Sequence, residues 1–275
     1  MQLEQRFPQK RAFVTGAASG LGLAICKRLA ARGWRLLIAD INEQRLQEAD
    51  TSLRSLGATT HALVLDVSNA SELGEAAALL RQQWNGVDMV FNNAGIANAG
   101  AIDELTLEDW QRTIDIDLWS VIHGCRIFTP MLKAQGGGYI VNTASSAGTL
   151  AGPEMAAYNV AKAGVVSLSE TLKTELGKDN IGVSVICPTV FVTSLGETLP
   201  GARQMESNLL KQLEQSNVTA DDIVDDMMRA IARNRLYVIT QTDARWGWRI
   251  KRFFPELNTR LISYFYRNKK WLYSQ

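Results

Sequence analysis

Apolar positions follow two alternating rhythms along this chain. Short apolar, β-rich runs appear at 11–15, 35–39, 61–65, 87–91, 139–143, 183–187 and 236–239. Runs that are apolar on both faces fit strands buried in a parallel sheet. Between them, apolar residues recur at three- and four-residue spacing over 21–31, 44–56, 73–84, 107–132, 156–176 and 223–232, which is helical periodicity. Strand and helix in turn predict one α/β domain, a doubly wound sheet covered by helices. Thr106 with Asp109 and Thr219 with Asp222 have capping-box spacing at two helix starts. Gly33, Gly57 and Gly177 stand where helices should stop. Residues 1–243 read as this domain, and 244–275 as a helical extension.

Composition narrows the class. With 275 residues, 46% of them hydrophobic, the chain can close one large core. The net charge of +1 gives no global pull toward nucleic acid. Cys26, Cys125 and Cys187 are too widely spaced for a metal cluster, and they suggest reduced thiols in a cytoplasmic setting. The first ten residues lack the apolar core of a signal peptide, and no apolar run is long enough to span a bilayer.

Chemistry concentrates at the strand ends. The strands finish in Thr15-Gly16, Asp40, Asp66, Asn92-Asn93-Ala94-Gly95, Ser145-Ser146 and Pro188-Thr189. Six strands thus deliver small or polar groups to the edge where open α/β sheets bind ligands. Thr15-Gly16-Ala17-Ala18-Ser19-Gly20-Leu21-Gly22 leads from a strand through glycines into a helix. Such a turn gathers free N–H groups and the positive helix end at one point, which suits a pyrophosphate. Asp40 follows Gly22 by eighteen residues. A carboxylate there can accept from both hydroxyls of an adenosine ribose and repels a 2′-phosphate. No Arg or Lys occupies 41–44, and position 19 is Ser, so NAD is expected over NADP. The competing role for Asp40 is a cap of the next helix.

Tyr158 and Lys162 are four apart in a helical segment and share one face. An ammonium beside a phenol lowers its pKa from about 10, so that it can exchange a proton near neutral pH. Ser145 lies thirteen residues upstream at a strand end, where its hydroxyl can meet the same substrate oxygen.

Together these motifs resemble the short-chain dehydrogenase/reductase family over roughly residues 10–195. TGxxxGxG appears as Thr15–Gly22, NNAG as Asn92–Gly95, and Ser with YxxxK as Ser145, Tyr158 and Lys162. The resemblance implies a seven-stranded parallel Rossmann sheet and hydride transfer between NAD(P) and an alcohol/ketone pair. It implies Tyr158 as general acid/base, Ser145 positioning the substrate oxygen, and Lys162 holding the nicotinamide ribose. It implies a cofactor-binding set of Gly16, Ser19, Gly20, Leu21, Gly22, Asp40, Asp66, Val67, Asn93, Ala94, Gly95, Tyr158, Lys162, Pro188, Phe191 and Thr193. In that set Asp66 meets the adenine edge, Asn93 the adenosine side and Thr193 the carboxamide. A homodimer or homotetramer built on 107–132 and 156–176 is also implied.

Two departures stand out. The family's helical asparagine, which helps hold a water between lysine and solvent, is Asp117, counted here with the catalytic set. The family's Pro-Gly is Pro188-Thr189. The alternative function is therefore an NAD(H)-binding sensor or interaction protein with weak turnover. Lyase or epimerase chemistry fits the simple Ser–Tyr–Lys set less well. Leu150, Met155, Phe191, Leu195 and Leu199 give an apolar substrate wall, with a lid at about 194–216, so a hydrophobic small-molecule alcohol or ketone is expected.

The last stretch differs from the rest. Residues 244–275 carry eight basic residues against Glu256 alone, leaving +7 there and −6 elsewhere. Trp246, Ile250, Phe253 and Phe254, then Leu257, Leu261 and Phe265, recur at helical spacing. Two readings stay open: a helix packed on the domain or on a partner subunit, and a peripheral contact with an anionic membrane surface. No nucleic-acid partner is expected.

Overall fold

A computed structural model describes residues 3–189 and 218–268. Its strands are β1 (Arg11–Thr15), β2 (Arg35–Asp40), β3 (Thr59–Val64), β4 (Met89–Asn92), β5 (Gly138–Thr143), β6 (Ile181–Ile186) and β7 (Tyr237–Val238). They form one seven-stranded sheet in the order β3-β2-β1-β4-β5-β6-β7. Every neighbouring pair is parallel. The chain runs outward from β1 to β3, then crosses back to lay β4 on the other side of β1. That reversal opens a crevice beyond the carboxyl ends of β1 and β4.

The inner strands bury both faces, as their pattern predicts, whereas the edge strand β3 leaves Thr59 and Val64 exposed. Ala12 and Val14 point into one core with Ile25, Leu29, Met227 and Ile231. Phe13 points into the other with Leu80, Val90, Phe128 and Val165. At the edge opposite the crevice, Arg11 and Asp88 form a buried ion pair at 2.9 Å, and Asp88 also accepts from the Arg11 backbone N–H at 2.8 Å. That pair ties the start of β1 to the segment entering β4. Cys26, Cys125 and Cys187 are buried and free.

The helical expectations hold with three corrections. The 107–132 segment is not one α-helix. It runs as Leu107–Ile114, a π turn over Asp115–Trp119, and Ser120–Ala134. A π turn inserts one residue into the hydrogen-bond ladder, which apolar spacing does not reveal. Gly177 does not supply a left-handed stop: it opens a 3₁₀ turn, and Asn180 takes the left-handed conformation at φ 55°. A short helix, Ser146–Leu150, follows β5, an element the apolar spacing does not predict. Both capping boxes form, at Thr106/Asp109 and Thr219/Asp222.

The extension is two helices, Thr242–Phe253 and Pro255–Arg267, so it begins slightly before residue 244. Pro255 starts the second helix, where a missing N–H costs nothing. The first helix lies on Ser146–Leu150. A Cβ added at Gly247 would sit 3.0 Å from a Leu150 methyl carbon. Among the described residues, no helix is long and apolar enough to cross a membrane.

Candidate active site

Three strand ends are bolted together before any ligand is considered. The Thr15 hydroxyl accepts from the backbone N–H groups of Asn93 (3.0 Å) and Ala94 (3.1 Å) and donates to the Phe91 carbonyl (3.3 Å). The Asn93 amide donates to the Thr15 carbonyl at 3.0 Å, and its oxygen accepts from Thr143 at 3.2 Å. Asn93 therefore clamps β1 to β5, and this work occupies the side chain expected to line the adenosine. A second buried chain runs beneath: Asn92 donates to Asn142 at 2.8 Å, and Asn142 to Ser169 at 3.0 Å. Gly124 makes room for it, since a Cβ there would lie 2.0 Å from the Asn92 amide oxygen. Thr143, Asn142 and Ser169 escaped sequence reasoning, because a single buried polar residue in an apolar run has no periodic signature.

The glycine turn is a cradle a side chain would fill. Gly16 has φ +63°, and a Cβ at Gly22 would lie 2.0 Å from the Gly16 carbonyl oxygen. Ser19 precedes helix Gly20–Ala30 without a side-chain cap, and no acid occupies its first turn. The first-turn N–H groups thus keep their capacity for an anion. Asp40 accepts from Ala18 N–H at 3.1 Å and Asn42 N–H at 3.0 Å. It caps no helix, because Asn42 does that through Arg45 N–H at 2.9 Å. Each Asp40 oxygen retains a lone pair for a hydroxyl donor. Asp66 turns back onto Ser68, accepting at 2.9 and 2.7 Å, next to buried Val67. Glu72, unforeseen, accepts from the Asp66 N–H at 2.7 Å. These donors and acceptors, spread from β1 to β3 around a side-chain-free cradle, fit a dinucleotide.

Helix Ala156–Glu175 carries Tyr158 and Lys162 on its buried face. Gly148 lets helix Ser146–Leu150 approach it: a Cβ there would sit 2.5 Å from the Lys162 carbonyl. Ser145 caps that short helix, accepting from Ala147 N–H at 3.2 Å, and lies within hydrogen-bond reach of the Pro188 carbonyl at 3.4 Å. The Ser145 hydroxyl also acts on the Tyr158 phenol and draws its pKa down. The Lys162 ammonium donates to the Thr143 carbonyl (3.3 Å) and pairs with Asp117 (3.3 Å). Asp117 projects from the π turn, fully buried, and accepts from Ile96 N–H at 2.9 Å. Its second oxygen has no hydrogen-bond partner among the described residues. Gly95 is required here, because a Cβ would lie 2.7 Å from Asp117 Oδ1 and 3.1 Å from Lys162 Nζ.

The electrostatics reverse one expectation. Burial, then the Asp117 carboxylate, push the Tyr158 phenol above its ordinary value, while the Ser145 hydrogen bond pulls it down. The Lys162 ammonium lies 5.5 Å from the Tyr158 ring centre but only 3.3 Å from a carboxylate oxygen, which cancels most of its field at the phenol. Burial also holds the Asp117 carboxyl above the usual range, against the pull of Lys162 and of Ile96 N–H.

On the substrate side, Gly100 bridges to Met155, and Gly100 N–H donates to the Glu154 carbonyl at 2.8 Å. Ala151 and Glu154 both adopt φ 57°, a left-handed conformation unusual for such residues. Leu150, expected to face substrate, leans against Gly247. Thr189 N–H donates to Gln241 at 3.2 Å, tying the end of β6 to the extension. Phe191, Thr193, Leu195, Leu199 and the 194–216 lid lie outside the described residues.

This arrangement matches known proteins. The family described as short chain dehydrogenase matches residues 10–204. A D-threitol dehydrogenase from Mycolicibacterium smegmatis is 35% identical over 191 residues, 70% of this chain and 74% of that one. A D-beta-hydroxybutyrate dehydrogenase from Rhizobium meliloti is 30% identical over 222 residues, 80% of this chain and 82% of that one. Among solved structures, a short-chain dehydrogenase/reductase from Burkholderia phymatum in complex with NAD superposes with a TM-score of 0.86 at 31% identity, covering 90% of this chain and 94% of that one. The chain belongs to the short-chain dehydrogenase family and is an oxidoreductase of the nicotinamide-dependent type.

The Asp117 carboxyl holds its proton more tightly folded than unfolded. Its contribution to stability is therefore full below the unfolded value of about 4 and is lost as pH rises toward the raised folded value. Asp117→Asn removes that titration. In urea unfolding across a pH series, the variant should gain stability relative to the parent as pH rises above about 4. Parallel pH profiles for the two proteins would contradict the buried carboxyl.

Proposed function

We propose that this protein transfers a hydride between NAD(H) and a secondary alcohol or ketone of apolar character, with Tyr158 as general acid/base. The observation that carries the reading is the grouping at one point of the crevice: buried Tyr158 and Lys162 one turn apart on the same helix, with the half-buried Ser145 hydroxyl acting on the phenol. The nicotinamide, when bound, supplies or accepts the hydride. Gly16, Ser19, Gly20, Leu21 and Gly22 would receive the pyrophosphate, Asp40 the adenosine ribose, Asp66 and Val67 the adenine edge, and Lys162 the second ribose.

The chain's own residues manage the proton. In ketone reduction the Tyr158 hydroxyl gives its proton to the carbonyl oxygen while the Ser145 hydroxyl donates a hydrogen bond to the same oxygen. In alcohol oxidation the phenolate takes the proton back. Burial and Asp117 favour the protonated phenol, so alcohol oxidation, which uses the phenolate, should speed up toward alkaline pH. Preference for NAD follows from Asp40, whose two oxygens face hydroxyl donors well and a phosphate badly. Apolar substrate character follows from residues 96–100 and 147–155, which contain no Arg, Lys or His to pair with a charged substrate.

Tyr158→Phe should lower kcat by roughly 10²- to 10⁴-fold while NADH affinity, read by fluorescence titration, is unchanged. Turnover near the parent level would sink the role given to the phenol. Asp40→Ala should raise kcat/KM for NADP relative to NAD by about tenfold or more. An unchanged ratio would contradict the assignment of Asp40 to the ribose.

A further inference from the structure

We infer that the C-terminal helical pair is a docking surface for an anionic lipid bilayer, presented beside the mouth of the substrate site. Helix Pro255–Arg267 shows the design. Its protein-facing side is set by Asn258, which is buried, and by Tyr266, whose hydroxyl donates to Glu154 at 2.8 Å. Leu257, Leu261, Tyr264 and Phe265 recur at i, i+4, i+7 and i+8 and form a stripe turned away from the protein. They are 50%, 41%, 57% and 42% exposed. An amphipathic helix normally buries such a stripe in its own core, and here about half of it is left open to solvent.

Helix Thr242–Phe253 extends the same surface. It seats Ala244 and Gly247 on the domain, and it leaves Trp246 and Phe253, seven residues apart, 58% and 72% exposed. Cations frame these aromatics. Arg249 lies over the Trp246 ring at 5.3 Å, and Arg260 and Arg267, also seven apart, run along one edge of the second stripe. Apolar side chains flanked by arginines suit a helix lying in the headgroup plane.

Charge decides between occupants. A second copy pairing by two-fold symmetry would oppose this basic face to itself. An anionic bilayer complements it, and the division of charge gives an orientation, with the +7 extension toward the lipid and the −6 remainder away. The first helix packs on Ser146–Leu150, and Tyr266 holds Glu154, so the docked face adjoins the loop that borders the substrate site. A lipophilic alcohol or ketone would then reach the site from the bilayer without crossing bulk water.

The test is co-sedimentation of the full chain with phosphatidylcholine vesicles, with and without phosphatidylserine. Two variants are compared: Phe253→Ser/Leu257→Ser/Leu261→Ser, and Arg249→Gln/Arg260→Gln/Arg267→Gln. All six positions lie outside the catalytic and cofactor-binding residues, so NADH titration reports that each variant is folded. The parent should partition to the phosphatidylserine vesicles, the arginine variant about a hundredfold less, and the apolar variant at least tenfold less. Light scattering should give one oligomeric state for all three. Absence of partition, or equal partition of parent and apolar variant, overturns the inference. So does loss of oligomer mass in the apolar variant without vesicle binding, which would assign the face to a second copy.

Discussion

A charged ammonium held out of water is the constraint around which this molecule is arranged. Burying Lys162 is costly unless its donors are satisfied and its charge is met. Thr143 supplies a carbonyl from the end of β5, and Asp117 supplies the carboxylate from a π turn. The turn matters because Asp117 points inward from it, between two α-helical stretches whose register it shifts by one residue. Gly95 and Gly148 matter because any side chain there would collide with the pair or with the Lys162 backbone. Four segments far apart in sequence therefore depend on one cation.

The other half of the crevice is built on the same logic with neutral groups. Thr15 and Asn93 spend nearly all their hydrogen-bonding capacity on neighbouring strand ends, so the glycine cradle rests on a fixed floor. Asp40 at one end of the crevice and Tyr158 with Ser145 at the other stand on that floor, and these are the groups the proposed function assigns to ligands. Floor and working groups come from the same short motifs, which is why those motifs looked wholly functional in the sequence.

Much of the architecture was legible in advance. Both-faces-apolar runs foretold a parallel sheet, and the strand ends foretold its working edge, because strand polarity and side-chain period are local properties. Asp40, Tyr158, Lys162 and Ser145 stood out in the sequence because each sits at a strand end or at helical spacing from another. What could not be read was set by tertiary contact. The π turn leaves no mark in apolar spacing. The chain from Asn92 through Asn142 to Ser169 joins three elements that only the fold brings together. The direction of the Tyr158 shift was misjudged because the Tyr158–Lys162 spacing announces a cation, whereas Asp117, forty-one residues from Tyr158, neutralises it. The extension's periodicity was visible, but not which of its stripes would face outward.

Burial, and then the Asp117 carboxylate, both favour the protonated form of the Tyr158 phenol. At the alkaline pH where the phenol titrates, that carboxyl carries its charge, so its influence on Tyr158 can be isolated. The decisive measurement is the pH dependence of kcat for oxidation of an apolar secondary alcohol, parent against Asp117→Asn. The account predicts an alkaline limb that moves down by about one pH unit in the variant. Superimposable profiles would contradict it.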